Sequence, residues 1–256
     1  MKVISLQSGS RGNCIYVETS ETSLLFDAGI SGKAAKARLA AFGKDIRDVS
    51  GLFISHDHSD HIKNAGVFSR KFGHKLLVSE KTYQSRSGGL GDVEILHHFH
   101  SGEKIQLGGI CVETHPTPHD GVNPCAFVIE AEGKRLGILT DLGFAFPELS
   151  EIISGLDAVM LESNFDPYML DNGPYPYSVR SRIKGDGGHI SNQQAAALLM
   201  ENANDNLSWA CLSHISENNN TPQKALEAFQ KAMQPSGKNI SLFTASQREA
   251  ACMPEV

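Results

Sequence analysis

The sequence has no C-x-x-C pair. Its five cysteines, Cys14, Cys111, Cys125, Cys211 and Cys252, are scattered and odd in number. That pattern excludes a cysteine zinc knuckle and a disulfide framework, and it fits reduced thiols in a cytoplasm. No stretch approaches the roughly 18 apolar residues of a membrane span. The N-terminal MKVISLQSGSRG has too short an apolar run for a signal peptide. A cytoplasmic protein without a membrane partner is expected. A basic excess is also missing: 23 Lys and Arg face 29 Asp and Glu, for a net charge of −6. Such an average does not suit a phosphate polymer, although bound cations could reverse the field locally. No linker, low-complexity tract or charge block divides the 256 residues, so one domain spanning 1–256 is expected.

The elements that are present come in two styles. KVISL, NCIYVET and SLLFDAG read as strands with turns between them, and GLFI follows as another. GKAAKARLAAFG reads as a helix stopped by Gly43, and DHIKNAGVFSRKF as one further helix. KLLV, VEILHHF, EKIQL and ICVETHP are strand candidates. CAFVIEAEGKRLGILTD predicts a hairpin with Glu132-Gly133 at its tip. Later, DAVMLES, LSWACLSH and NISLF alternate with helices over SNQQAAALLMENAN, with Ser191 as N-cap, and TPQKALEAFQKAM, with Thr221 as N-cap. Strands in runs, then strands alternating with helices, predict two sheets with helices outside them.

The chemistry concentrates at strand ends. FISHDHSDH places His56, His58 and His61 with Asp57 and Asp60 directly after an apolar strand. So many imidazoles and carboxylates would repel and desolvate one another unless a cation binds them. In extended chain His56 and His58, two apart, point the same way. His119 in THPTPHD, Asp141 in LGILTD and His214 in ACLSHIS occupy the same kind of position. Imidazole suits zinc, iron or manganese, and carboxylate suits the harder of these. The two oxygens of Asp141 could bridge two cations.

These motifs resemble, in order along nearly the whole chain, those of the metallo-β-lactamase fold hydrolases. The resemblance implies an α+β fold, a four-layer αββα sandwich, with two divalent metal ions (zinc or manganese, iron being a further option). His56, His58 and His119 would hold one metal, and Asp60, His61 and His214 the other. Asp141 and a water or hydroxide would bridge them, and Asp27 in LLFDAG would stand behind the ligands. LESNFD and GDGGHISNQQAA resemble motifs of tRNase Z-like phosphodiesterases. There a glutamate, here Glu162, orients a histidine, here His189, that protonates the leaving oxygen; with Asp60 these would carry the catalysis. The arginine of the tRNase Z C-terminal motif is missing from HISENNN. The 47 residues between Asp141 and His189 leave no room for the β-CASP domain of RNase J-like nucleases. The full motif set is most similar to the YycJ/WalJ branch, which implies a DNA exonuclease acting from a 5′ end. A lactonase or thioesterase on the same fold is the alternative.

For binding nucleic acid, with DNA as the expected partner, the segment DPYMLDNGPYPYSVRSRIKGDGG is the best candidate. Tyr177, Arg180 and Arg182 interleave aromatic and basic side chains there, as a base stack and a phosphate backbone require. Ser8 and Arg11 in LQSGSRGN, Ser191, and Asn219 in SHISENNN complete the expected substrate contacts. Gly187-Gly188 is expected to allow close approach of substrate to the backbone.

Overall fold

Apolar and β-branched runs between turn residues build fourteen strands in the computed structural model, which describes residues 1–256. The first sheet contains β1 (Lys2–Gln7), β2 (Cys14–Glu18), β3 (Ser23–Phe26), β4 (Gly51–Ile54), β5 (Leu76–Ser79) and β6 (Leu96–Phe99). The second contains β7 (Lys104–Leu107), β8 (Ile110–Pro116), β9 (Cys125–Ala131), β10 (Lys134–Leu139), β11 (Ala158–Glu162), β12 (Trp209–Ser213) and β13 (Ser241–Thr244). The chain then returns to the first sheet with β14 (Ala251–Cys252), antiparallel to β1. Both sheets follow one pairing scheme across their seven strands: three antiparallel pairs, then three parallel pairs. The two halves are thus alike in topology although no repeat is visible in the sequence.

Most strands are apolar on both faces because both faces are covered. In β9, Phe127 and Ile129 point into the layer between the sheets, while Ala126 and Val128 point to the outer helices. The inter-sheet layer is centred on Phe26, Phe53 and Phe127, whose ring centroids lie 5.1–5.8 Å apart. A second apolar layer joins sheet one to the helices Gly32–Ala40 and Ala65–Phe72. A third joins sheet two to the helices Glu148–Ser154, Asn192–Asn202 and Pro222–Ser236. Three apolar layers separate four structural ones, so the expected α+β, αββα sandwich is the observed fold. The hairpin of β9 and β10 turns at Glu132 and Gly133, both at positive φ.

Two expectations are corrected and one element was unforeseen. The single helix expected from Asp60 to Phe72 is two, Ser59–Ile62 and Ala65–Phe72. The backbone between them is claimed by neighbouring loops. Ala28 N donates to His61 O at 2.6 Å, Asn64 N to Ala28 O at 3.1 Å and Asn13 N to Asp60 O at 2.7 Å. The strand expected over VEILHHF is shortened to β6. The helix Glu80–Leu90 was not expected, because EKTYQSRSGGL has no apolar stripe and carries two glycines.

The parallel strands place the chemistry. β3, β4, β10, β11 and β12 end at one edge, and Asp27, His56, Asp141, Glu162 and His214 sit at or just beyond those ends. Asp27, Asp141 and His214 all adopt positive φ, at 64°, 59° and 52°. This left-handed conformation costs a non-glycine residue about 1–2 kcal/mol and persists where the surroundings dictate it.

Candidate active site

Ligand atoms of His56, His58 and His119 gather within 4.8 Å of one another, and so do those of Asp60, His61 and His214. Asp141 joins the two sets. Its Oδ2 lies 3.4 Å from His61 Nε2, and its Oδ1 3.6 Å from His119 Nε2. His56 Nε2, Asp141 Oδ2 and His214 Nε2 are buried with no hydrogen-bond partner. A buried orphan of this kind costs about 1–3 kcal/mol. Three of them converging from different strands fit divalent cations held by imidazole and carboxylate.

The charge distribution favours the same occupant. Burial works against a charged His61, yet Asp141, Asp27 and Asp60 hold its pKa well above the usual range. Burial likewise opposes charge on His214, but Asp141, Asp60 and Glu162 raise it to about 10. Asp60 and Asp141 are pushed far below the usual carboxylate range by His61 and His214, against the effect of burial. His56 is depressed by its complete burial and then by His61, so its neutral, ligating form dominates. The cluster therefore attracts positive charge, which protons or metal cations can supply.

Each candidate ligand histidine is oriented through its other nitrogen, as metal-binding imidazoles require. His61 Nδ1 donates to Asp27 Oδ2 at 2.7 Å, and the Asp27 carboxylate also accepts from Ser55 N and Oγ. His56 Nδ1 meets Ser55 Oγ at 2.9 Å. His119 Nδ1 donates to Gly188 O at 2.9 Å. His58 Nε2 lies 3.4 Å from Asp120 Oδ1. His214 Nδ1 lies 3.2 Å from Glu162 Oε1. Ser55 and Asp120 were missed in the sequence, where both are hidden among more conspicuous neighbours.

Glu162 is fully buried, and its Oε1 accepts from His189 Nδ1 at 2.7 Å. Its Oε2 accepts from Leu142 N and Ile190 N. The carboxylate is thereby fixed, with burial opposed by His189 to leave its pKa at about 2. It fixes the imidazole proton on Nδ1 and leaves Nε2 for the cleft that His189 lines. Gly187 and Gly188 admit the protein's own backbone rather than substrate. Gly187 O accepts from Asp120 N, and a Cβ on Gly188 would stand 2.2 Å from Ile183 O.

The cleft over this cluster encloses about 380 Å³ and is lined by Ser10, Tyr175, Arg182 and Ser216 among other residues. Of the expected substrate contacts, Arg182 faces it, held by Asp120 at 2.6 and 2.9 Å. Tyr177 is exposed beside it, and Tyr175 lines it instead. Arg180 donates to the Asp171 carbonyl, and Arg11 pairs with Glu217 at 2.7 Å; neither lines the cleft. Ser8, Ser191 and Asn219 are not among the residues lining the cleft, and all three are buried. Ser8 Oγ accepts from His214 N, Ser191 caps its helix by accepting from Gln194 N, and Asn219 packs under Gly173. Arg86, on the unexpected helix Glu80–Leu90, lines the cleft and had no sequence signal.

The fold and this donor set together define a metal-dependent hydrolase. Residues 8–200 match the Metallo-beta-lactamase superfamily. The chain is 35% identical over 237 residues to Exodeoxyribonuclease YycJ of Bacillus anthracis, covering 92% of this chain and 90% of that protein. It is 35% identical over 224 residues to Exodeoxyribonuclease WalJ of Streptococcus pneumoniae serotype 2, covering 86% and 83%. Among solved structures, the metallo-beta-lactamase fold protein YhfI of Bacillus subtilis matches with a TM-score of 0.73 at 14% identity, covering 98% of this chain and 99% of that one. The chain belongs to the metallo-beta-lactamase superfamily and is similar to its YycJ and WalJ members. No helix is long and apolar enough to cross a membrane.

Proposed function

We propose that the chain is a phosphodiesterase that degrades DNA from a 5′ end, with double-stranded DNA as substrate and two divalent metal ions as cofactor. The observation that carries this reading is the Glu162–His189 pair, 2.7 Å apart, beside two ligand triads joined by Asp141. His56, His58 and His119 would hold one ion, Asp60, His61 and His214 the other, with Asp141 shared; zinc or manganese suits the donors. When bound, such a pair of ions supplies a nucleophile near neutral pH and neutralises charge developing at phosphorus.

The chain's own residues supply the rest. A nucleoside alkoxide leaves poorly, and His189, when doubly protonated, can place a proton on it from Nε2 while Glu162, paired with Nδ1, holds the ring's orientation. Arg182 and Tyr175 on the cleft wall offer a fork for a phosphate and a ring for a base. The lining is polar: only three of its fourteen residues are hydrophobic, which does not suit the apolar pocket of a small-ester hydrolase. The names of the YycJ and WalJ relatives support the DNA assignment. One domain over 1–256, working on DNA in the cytoplasm, completes the proposal; all five cysteines are free thiols.

The test gives protein loaded with manganese or zinc a duplex DNA labelled at either end, beside lactone and thioester panels. A His56→Ala, Asp60→Ala double variant is the blank. Release of the 5′ label, lost in the blank, is expected. Intact DNA with turnover of an ester would overturn the reading.

A further inference from the structure

The cleft does not end at the metal-ligand cluster. A second cavity of about 160 Å³ continues from it, sharing Ser59 and Arg86 and lined further by Ile62, Lys63, Gly89 and Leu90. It contains two cationic residues and no carboxylate, in a chain of net charge −6. Neither His189 nor any residue of the helix Tyr177–Lys184 lines it, so it leaves the cleft by a separate exit.

The state of the nearby cations singles these two out. Arg182 is tied to Asp120, Lys184 to Asp171 and Arg11 to Glu217. Arg86 is anchored through Nε alone, which donates to Asp57 O at 2.8 Å and lies 3.7 Å from Asp57 Oδ2. Its two terminal nitrogens make no hydrogen bond within the protein, and the Lys63 ammonium makes no ion pair. A guanidinium fixed at Nε with its terminal nitrogens free is ready to fork onto phosphate oxygens. Gly89 lies at an open part of the rim, where a Cβ would meet nothing within 4 Å.

We propose that this cavity is a subsite for a second phosphate of the substrate, the one adjacent to the reacting phosphate, gripped by Lys63 and Arg86. Arg86 stands at the junction and bridges the two phosphates; Lys63 contacts the second alone. The inference rests on the phosphodiester reading above, and its test separates the two.

Thymidine 3′,5′-bisphosphate and thymidine 5′-monophosphate carry two phosphates and one. Calorimetric titration of the zinc-loaded protein with each is expected to favour the bisphosphate about tenfold, the scale of one charge-assisted hydrogen bond. Lys63→Gln is expected to reduce that preference to about twofold or less, with monophosphate affinity unchanged, whereas Arg86→Gln is expected to reduce the preference and to weaken the monophosphate as well. The subsite is overturned if the wild type shows no preference or the preference survives both substitutions. It is equally overturned if Lys63→Gln weakens both ligands alike. A parallel DNA digest separates the readings. Intact DNA with the bisphosphate preference present and lost in Lys63→Gln would remove the nuclease reading and keep the subsite. Digested DNA with no preference would remove the subsite alone.

Discussion

Replacing His189 by alanine tests the division of labour inside the cleft. The imidazole is half-buried, its Nδ1 is engaged by Glu162 at 2.7 Å, and its ring packs on His119 and His214, with centroids 5.1 Å away, at the rim of the cleft. The fold should therefore survive the change. The candidate ligands keep their own supports in Ser55, Asp120, Asp27 and Gly188. Metal content should stay within experimental error, and mass spectrometry of the desalted protein checks it. A positioned general acid is worth about 10²–10⁴ in rate when the leaving group is a poor one. Turnover of a DNA phosphodiester should fall by about that factor. Bis(p-nitrophenyl) phosphate expels a phenolate that needs little protonation, so its turnover should fall far less. Comparing kcat on the two substrates reads the effect directly. Equal losses on both, with metal retained, would refute the proton-donor role and leave His189 as a substrate-positioning or structural residue.

Asp120→Asn should weaken the hold on His58 and lower affinity for the metal ion proposed at His56, His58 and His119 by about 10–100-fold, the usual effect of losing a carboxylate behind an imidazole ligand; competition with a chelator would measure it. Metal affinity should rise with pH. His61 and His214 have raised pKa values, His214 at about 10, so cation binding must displace protons that become easier to lose as pH climbs toward 10. Chelator competition from pH 6 to 9 should show each displaced proton adding about tenfold per pH unit, and a flat profile would contradict the electrostatics described above. Gly29→Ala would bring a methyl carbon to 1.7 Å from Asp60 O, so the ligand loop must shift. About 1–3 kcal/mol of stability should be lost, measured by denaturant unfolding, together with metal affinity.

Much of the site could be read from sequence because ionisable groups crowded at strand ends are costly to bury without a bound cation. His56, His58, His61, His119, Asp141, Glu162 and His214 each follow or end an apolar strand, and the two mixed sheets bring those strand ends together. The double-sheet architecture was equally legible, since apolar runs interrupted by turn residues mark its strands. Short-range sequence signals could not reveal which polar groups would be buried. Ser8, Ser191 and Asn219 look like surface hydroxyls and an amide, but tertiary packing sends them inward. Arg86 was hidden for the opposite reason. Its helix, Glu80–Leu90, has only Tyr83 and Leu90 as apolar residues and carries two glycines, so nothing in its pattern announces a helix facing the cleft. The break at Lys63 and Asn64 depends on hydrogen bonds to residues 13 and 28, which no local pattern records.

The proposed chemistry depends on two ions, joined through Asp141, acting as one centre. Metal-stripped protein would be titrated with manganese while bound metal and cleavage of end-labelled duplex DNA are followed together. Two equivalents should bind per chain, with activity appearing as the second binds, and Asp141→Ala should lose both the second equivalent and the activity. Full activity at a single equivalent, or DNA cleavage indifferent to Asp141, would rule out a dinuclear centre.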